Sequence, residues 1–102
     1  MSSDTDKDKT RFGTALRTIR QSKNLSMQEV YSKATGRTYY AALELGRKSP
    51  TLAKIDEIAE ALEVHPLTLL LLTYAQSSDD SMLQLLARAK IDLKSLGLWR
   101  EK

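Results

Sequence analysis

Cysteine is absent from these 102 residues and histidine occurs once. Without thiols the chain can form neither a disulfide nor a thiolate metal site, a composition that fits a reducing cytosol. The lone His65 precedes Pro66 and has no second histidine with which to build a metal site or a nucleophile pair, so it reads as a helix cap or a surface residue. Acidic residues do not cluster in a loop where general acid–base chemistry could be argued. The expectation is therefore no enzyme, no cofactor and no metal. No apolar run approaches the roughly 20 residues of a membrane span, and no signal-peptide core follows the N-terminus. LTLLLL at 67–72 is too short to cross a bilayer. These absences predict a soluble, unexported, cytoplasmic protein without a membrane partner.

What is present is one small domain's worth of chain, enough for a single core. Its net charge is only +3, but the distribution is uneven. Residues 11–48 carry eight Arg and Lys against two acids, a net +6, whereas residues 1–10 come to −1 and residues 49–102 to −2. Concentrated positive charge of this kind is the electrostatic footprint of a polyanion partner.

The basic segment contains SMQEVYSKATGRTYYAALELG at 26–46, which reads as two short helices joined by a tight turn at Thr35 and Gly36. Ser26 and Glu29 have the spacing of a capping box, in which hydroxyl and carboxylate reciprocally satisfy two free backbone amides. Leu25 and Val30 flank that cap as a hydrophobic staple. Gly36, free to take a positive φ, is expected to end the first helix as its C′ residue. The second helix starts near Arg37, with Tyr40 and Leu43 on a core-facing side and Gly46 as its stop. Arg37, Thr38, Ala41 and Ala42 are small or polar and face outward.

Elsewhere, residues 1–9 are mixed in charge and poor in apolar side chains, which predicts a flexible tail. A first helix over 10–23 would bury Phe12, Ala15, Leu16 and Ile19 and keep Arg17 and Arg20 off that stripe. After the basic loop 46–50, a helix over 51–62 would bury Leu52, Ile55, Ile58, Ala59 and Leu62 and turn its acids to water. A fifth helix from Pro66 is apolar nearly all round and is expected to be covered on several sides. A polar connector leads to a sixth helix over 80–96, where Met82, Leu86, Ala89, Leu93 and Leu96 form a seam for another helix. Gly97 ends it, and Leu98 and Trp99 add an apolar hook. The domain division that follows is 1–9, 10–75 and 76–102.

FGTALRTIRQSKNLS, QEV, RTYYAALELGRKSP and IAEALEV together closely resemble the lambda-repressor/Cro (Xre-type) helix-turn-helix family, over about residues 12–74. The resemblance implies an all-α fold, a five-helix DNA-binding domain to which this chain adds a C-terminal helix. It also implies that the helix from Arg37 lies in the major groove of double-stranded DNA while the helix before it crosses the backbone. By position in the family pattern, Arg37, Thr38 and Ala42 face bases, and Tyr39 contacts backbone or thymine. Arg20, Ser26, Gln28, Arg47, Lys48 and Ser49 fall on the phosphate side, with Arg20 also matching one half of a salt bridge to Glu44. The chain departs from the pattern at Met27, where Gln is usual, at Leu45, where a polar residue is usual, and in a turn one residue shorter near Gly36. From their own spacing, Tyr40 belongs to the core, while Tyr39 is open to either role.

Three functions then compete: a sequence-specific regulator acting as a homodimer on a palindromic operator, an antitoxin whose C-terminal helix masks a protein partner, and a protein-interaction module without DNA. The first is the expectation, with Met82, Leu86, Ala89, Leu93, Leu96 and Trp99 as dimerisation residues. An adjacent small toxin gene would favour the second. Salt-independent failure to bind any duplex would favour the third.

Overall fold

The computed structural model describes residues 4–102, with side chains from Lys7 onward, as six helices and, among these residues, no strand. They are α1 (Asp4–Ser22), α2 (Met27–Tyr31), α3 (Arg37–Glu44), α4 (Leu52–Leu62), α5 (Pro66–Ala75) and α6 (Met82–Ser95). The all-α expectation holds.

Helix α1 starts six residues earlier than the sequence pattern predicts. Of the expected tail, residues 1–3 lie outside the described residues and 4–9 are helical. Asp8 pairs with Arg11 one turn on. Arg11 in turn donates to Ser77 Oγ and stacks on the Tyr74 ring at 5.2 Å. The extra turns are thereby tied to the end of α5. At the other end α1 stops at an Asn24 of positive φ, whose neighbour Leu25 donates back to the Arg20 carbonyl at 3.1 Å.

The capping box that opens α2 forms in full: the Glu29 amide donates to Ser26 Oγ at 3.1 Å, and the Ser26 amide donates to Glu29 Oε1 at 3.2 Å. The helix is shorter than predicted, ending at Tyr31 with turns over 32–35. Gly36, expected as its C′ residue, is instead the N-cap of α3. Its φ of 86° and ψ of 158° lie in a region essentially open only to glycine, and its amide reaches back to the Tyr31 carbonyl at 3.1 Å. The turn over 32–35 closes there and α3 begins.

Phe12, Leu16, Val30, Tyr40, Leu43, Ile55, Ile58, Ala59, Leu62 and Leu69 form the core, drawn from the first five helices. Leu52, expected inside, is 73% exposed. At 3.6 residues per turn it falls about 70° off the stripe centred on Ile55, Ile58, Ala59 and Leu62, and it stands on the first turn of α4. Helix α5 is also more open than its composition predicts: only Leu69 and Thr73 are buried, and Leu67 and Tyr74 are exposed. Its covered side packs on α1 and α4. His65 caps α5, its Nδ1 accepting from the Leu67 amide at 2.9 Å, as the sequence suggested.

Helix α6 opens with a second capping box, Ser81 with Gln84, two residues later than predicted. It packs against α5, yet none of its residues is buried. The seam residues Met82, Leu86, Leu93 and Leu96 are all exposed, as is Trp99. Leu67, Leu83, Leu86, Leu93 and Trp99 line an open apolar groove of about 560 Å³ between the two helices.

Candidate nucleic-acid interface

The alternation of α3 is set by its tertiary neighbours. Tyr40, Leu43 and Glu44 are buried, Ala41 and Ala42 are half-buried at the edge, and Arg37 and Thr38 are exposed at the first turn. Two constraints fix that orientation. The Arg20 guanidinium holds the Glu44 carboxylate bidentately, Nε to Oε2 at 2.6 Å and Nη2 to Oε1 at 3.1 Å, and Nη1 donates to the Leu25 carbonyl at 2.8 Å. The two side chains are only 12% and 5% exposed. The Glu44 hydrogen bond raises the Arg20 pKa further, outweighing the opposing effect of burial. All three guanidinium nitrogens are thus engaged within the chain. Arg20, a phosphate-side residue by the family pattern, here braces α1, the start of α2 and the end of α3 together.

The second constraint is Gly13 on α1, a residue that the sequence pattern did not single out. A Cβ there would stand 2.5 Å from the Leu43 carbonyl oxygen and 2.7 Å from that of Glu44. Only a glycine lets α1 lie this close to the end of α3. A glycine inside an otherwise good helix, which costs about 1 kcal/mol relative to alanine, was the available signal.

Tyr40 lies beside the Arg20–Glu44 pair with its hydroxyl buried near the Glu44 carboxylate but short of hydrogen-bond geometry with any partner. Burial, and then the Glu44 carboxylate, push the phenol far above its ordinary range. It is a core residue, as expected.

Past Glu44 the chain closes α3 with a Schellman motif: the Gly46 amide donates to Leu43 and the Arg47 amide to Ala42, at 3.1 and 2.8 Å, with Gly46 at a φ of 74°. The loop that follows presents Arg47, Lys48 and Ser49 exposed. Lys48 Nζ then folds back over the Tyr39 ring, 5.5 Å from its centroid, and Lys54 Nζ approaches the same ring from α4 at 5.8 Å. Tyr39 itself is half-buried and packed against the core. Lys54 also went unmarked in the sequence, although it is the one basic residue in LAKIDEIAEAL. On α2, Gln28 is exposed, while the Ser26 hydroxyl is used in its cap.

The structure thus brings together an exposed Arg37–Thr38 pair, a basic loop and a lysine-flanked tyrosine around one short helix. Residues 16–69 match the family described as Helix-turn-helix. The chain belongs to that family. It is a helix-turn-helix protein of the lambda-repressor-like class, a family of DNA-binding regulators, and DNA is the partner the membership supports. No curated protein and no solved structure matches the chain. Among the described residues of this helix-turn-helix protein no group of His, Asp and Glu could hold a metal ion. No single helix of the described residues is long and apolar enough to cross a membrane.

Proposed function

We propose that this helix-turn-helix protein is a sequence-specific transcription regulator that binds a palindromic operator as a homodimer. The observation that carries the reading is the exposed first turn of α3, with Arg37 and Thr38 at one end of the helix and the exposed basic residues Arg47 and Lys48 just past the other. In this class the N-terminal residues of the second motif helix meet base edges. Arg37 is suited to guanine O6 and N7, Thr38 to donate or accept, and the Ala42 methyl to thymine. Arg47, Lys48, Ser49 and Gln28 take phosphates, which supplies affinity without sequence information.

So few hydrogen-bonding groups give one helix little power to discriminate a site. Two such helices about 34 Å apart across a two-fold axis add their contacts on one face of the duplex. The exposed apolar face of α6 supplies the pairing surface in this reading, through Met82, Leu86, Ala89, Leu93, Leu96 and Trp99. Selection of bound fragments from a random duplex pool tests the proposal. A two-fold consensus with half-sites one helical turn apart is the expected result, and recovery of no sequence preference would overturn it.

A further inference from the structure

The Tyr39 ring carries two cations drawn from different elements, Lys48 from the loop after α3 and Lys54 from α4. At 5.5 and 5.8 Å from one centroid, the two ammonium groups lie no more than about 11 Å apart. Each is attracted to the ring, and the two repel one another. An anion set between them reverses that repulsion. Lys54 has one further partner, Glu57 at 3.2 Å, in a pair whose side chains are 37% and 45% exposed. Exposed pairs of this kind are weak and exchange readily for a better anion.

We propose that Tyr39, Lys48 and Lys54 form a single cradle for a backbone phosphodiester of duplex DNA, in which Lys54 is a direct phosphate ligand. Tyr39 is then the platform that positions both ammonium groups, and its half-buried ring reads no base. Glu57 holds Lys54 in place in the free protein and gives it up on binding. The inference rests on the DNA-binding reading above and extends the interface from the loop onto α4, a helix otherwise acidic on its exposed side.

The test is a salt titration of affinity for the selected operator and for random duplex, using the full chain and the variants Lys54→Gln, Lys54→Arg, Glu57→Gln, Tyr39→Phe and Tyr39→Ala. Removing one phosphate ligand flattens the plot of log K against log salt by about 0.9, so between 50 and 200 mM salt Lys54→Gln should lose roughly 3.5-fold less affinity than the wild type. Its loss should be equal on the two duplexes. Lys54→Arg should restore the slope, Glu57→Gln should raise affinity, and Tyr39→Phe, which keeps the ring, should lose less affinity than Tyr39→Ala. Tyr39→Ala should weaken both duplexes alike and make Lys54→Gln nearly silent. Unchanged slope and affinity in Lys54→Gln, against a steep wild-type slope, would overturn the cradle and leave the DNA reading intact. A Tyr39→Ala loss confined to one operator base pair would make Tyr39 a base reader and also overturn it. A wild type that binds no duplex at any salt would remove both readings together.

Discussion

Gly13 and Leu43 approach so closely that a single added carbon on the first would lie 2.5 Å from the carbonyl oxygen of the second. The obstacle is the backbone at the end of α3, which Arg20 of the same helix α1 also holds through Glu44, so neither partner has a flexible end to move aside. Gly13→Ala should therefore destabilise the fold even though alanine is the better helix former. Overpacking costs about 1–3 kcal/mol, against a propensity gain of about 1 kcal/mol. Urea midpoints read the balance, and a stabilised variant would mean that the two helices do not touch as described.

The Arg20–Glu44 pair should behave as a unit. Arg20→Met leaves a carboxylate that is 5% exposed without its partner, at a loss of about 3 kcal/mol. The double replacement with Glu44→Met should recover most of that loss, because two apolar side chains of similar volume tolerate the site. A double-mutant cycle by chemical denaturation measures the coupling, and additive losses would show that the pair contributes nothing jointly.

Tyr40 carries a hydroxyl that is buried and unbonded. Tyr40→Phe should therefore be neutral or slightly stabilising at pH 7, since it removes an unsatisfied polar group without opening a cavity. The pH dependence has a defined sign. The folded pKa is raised above the value near 10 of an unfolded tyrosine, so the stability linked to this proton is fully present below about pH 10 and falls as pH rises beyond it. Unfolding curves at pH 7 and 10.5 should show a steeper loss for the wild type than for Tyr40→Phe. Equal slopes would place the phenol in contact with water.

On DNA, Arg37→Ala should cost about 1–3 kcal/mol on the operator and relax preference at one base pair in each half-site. Arg47→Ala should weaken operator and random duplex alike and flatten the salt slope by about 0.9. The contrast between the two variants separates base reading from phosphate binding. Equal losses on both duplexes for Arg37→Ala would make it a phosphate ligand.

Helix α6 has 14 residues and no buried side chain, a length at which an isolated helix is marginal in water. Truncation before Ser78, or joint replacement of Leu86 and Leu93 by polar residues, should leave a folded domain that sediments as a monomer and binds the operator far more weakly. A two-fold interface feels each lesion twice. A truncated chain that stays dimeric would move the interface to the exposed side of α5, and one that unfolds would assign α6 to the core of its own subunit.

Local chemistry was legible wherever a few neighbouring residues complete the interaction. The capping box at Ser26, the His65 cap, the core stripe of Phe12, Ala15 and Leu16, and the glycine stop at Gly46 depend on contacts within one turn or on a simple period. The sequence alone therefore determined the helix order, the family and the basic segment. It could not decide how far each apolar face is covered, because coverage belongs to the neighbour. Leu52 is exposed because it falls about 70° off the covered stripe of α4, and Leu67 and Tyr74 of α5 stay exposed although α1, α4 and α6 all pack against that helix. Residues 4–9 are helical although their own composition predicts a tail; Asp8 pairs with an Arg11 that also reaches Ser77 and Tyr74, more than sixty positions away. The Tyr39 cradle is of the same kind, its two lysines six positions apart in the chain and brought to one ring by the fold of the loop between α3 and α4. Short-range hydrogen bonds and periodicity are written in consecutive residues, whereas burial and charge convergence are properties of surfaces that exist only once the helices have packed.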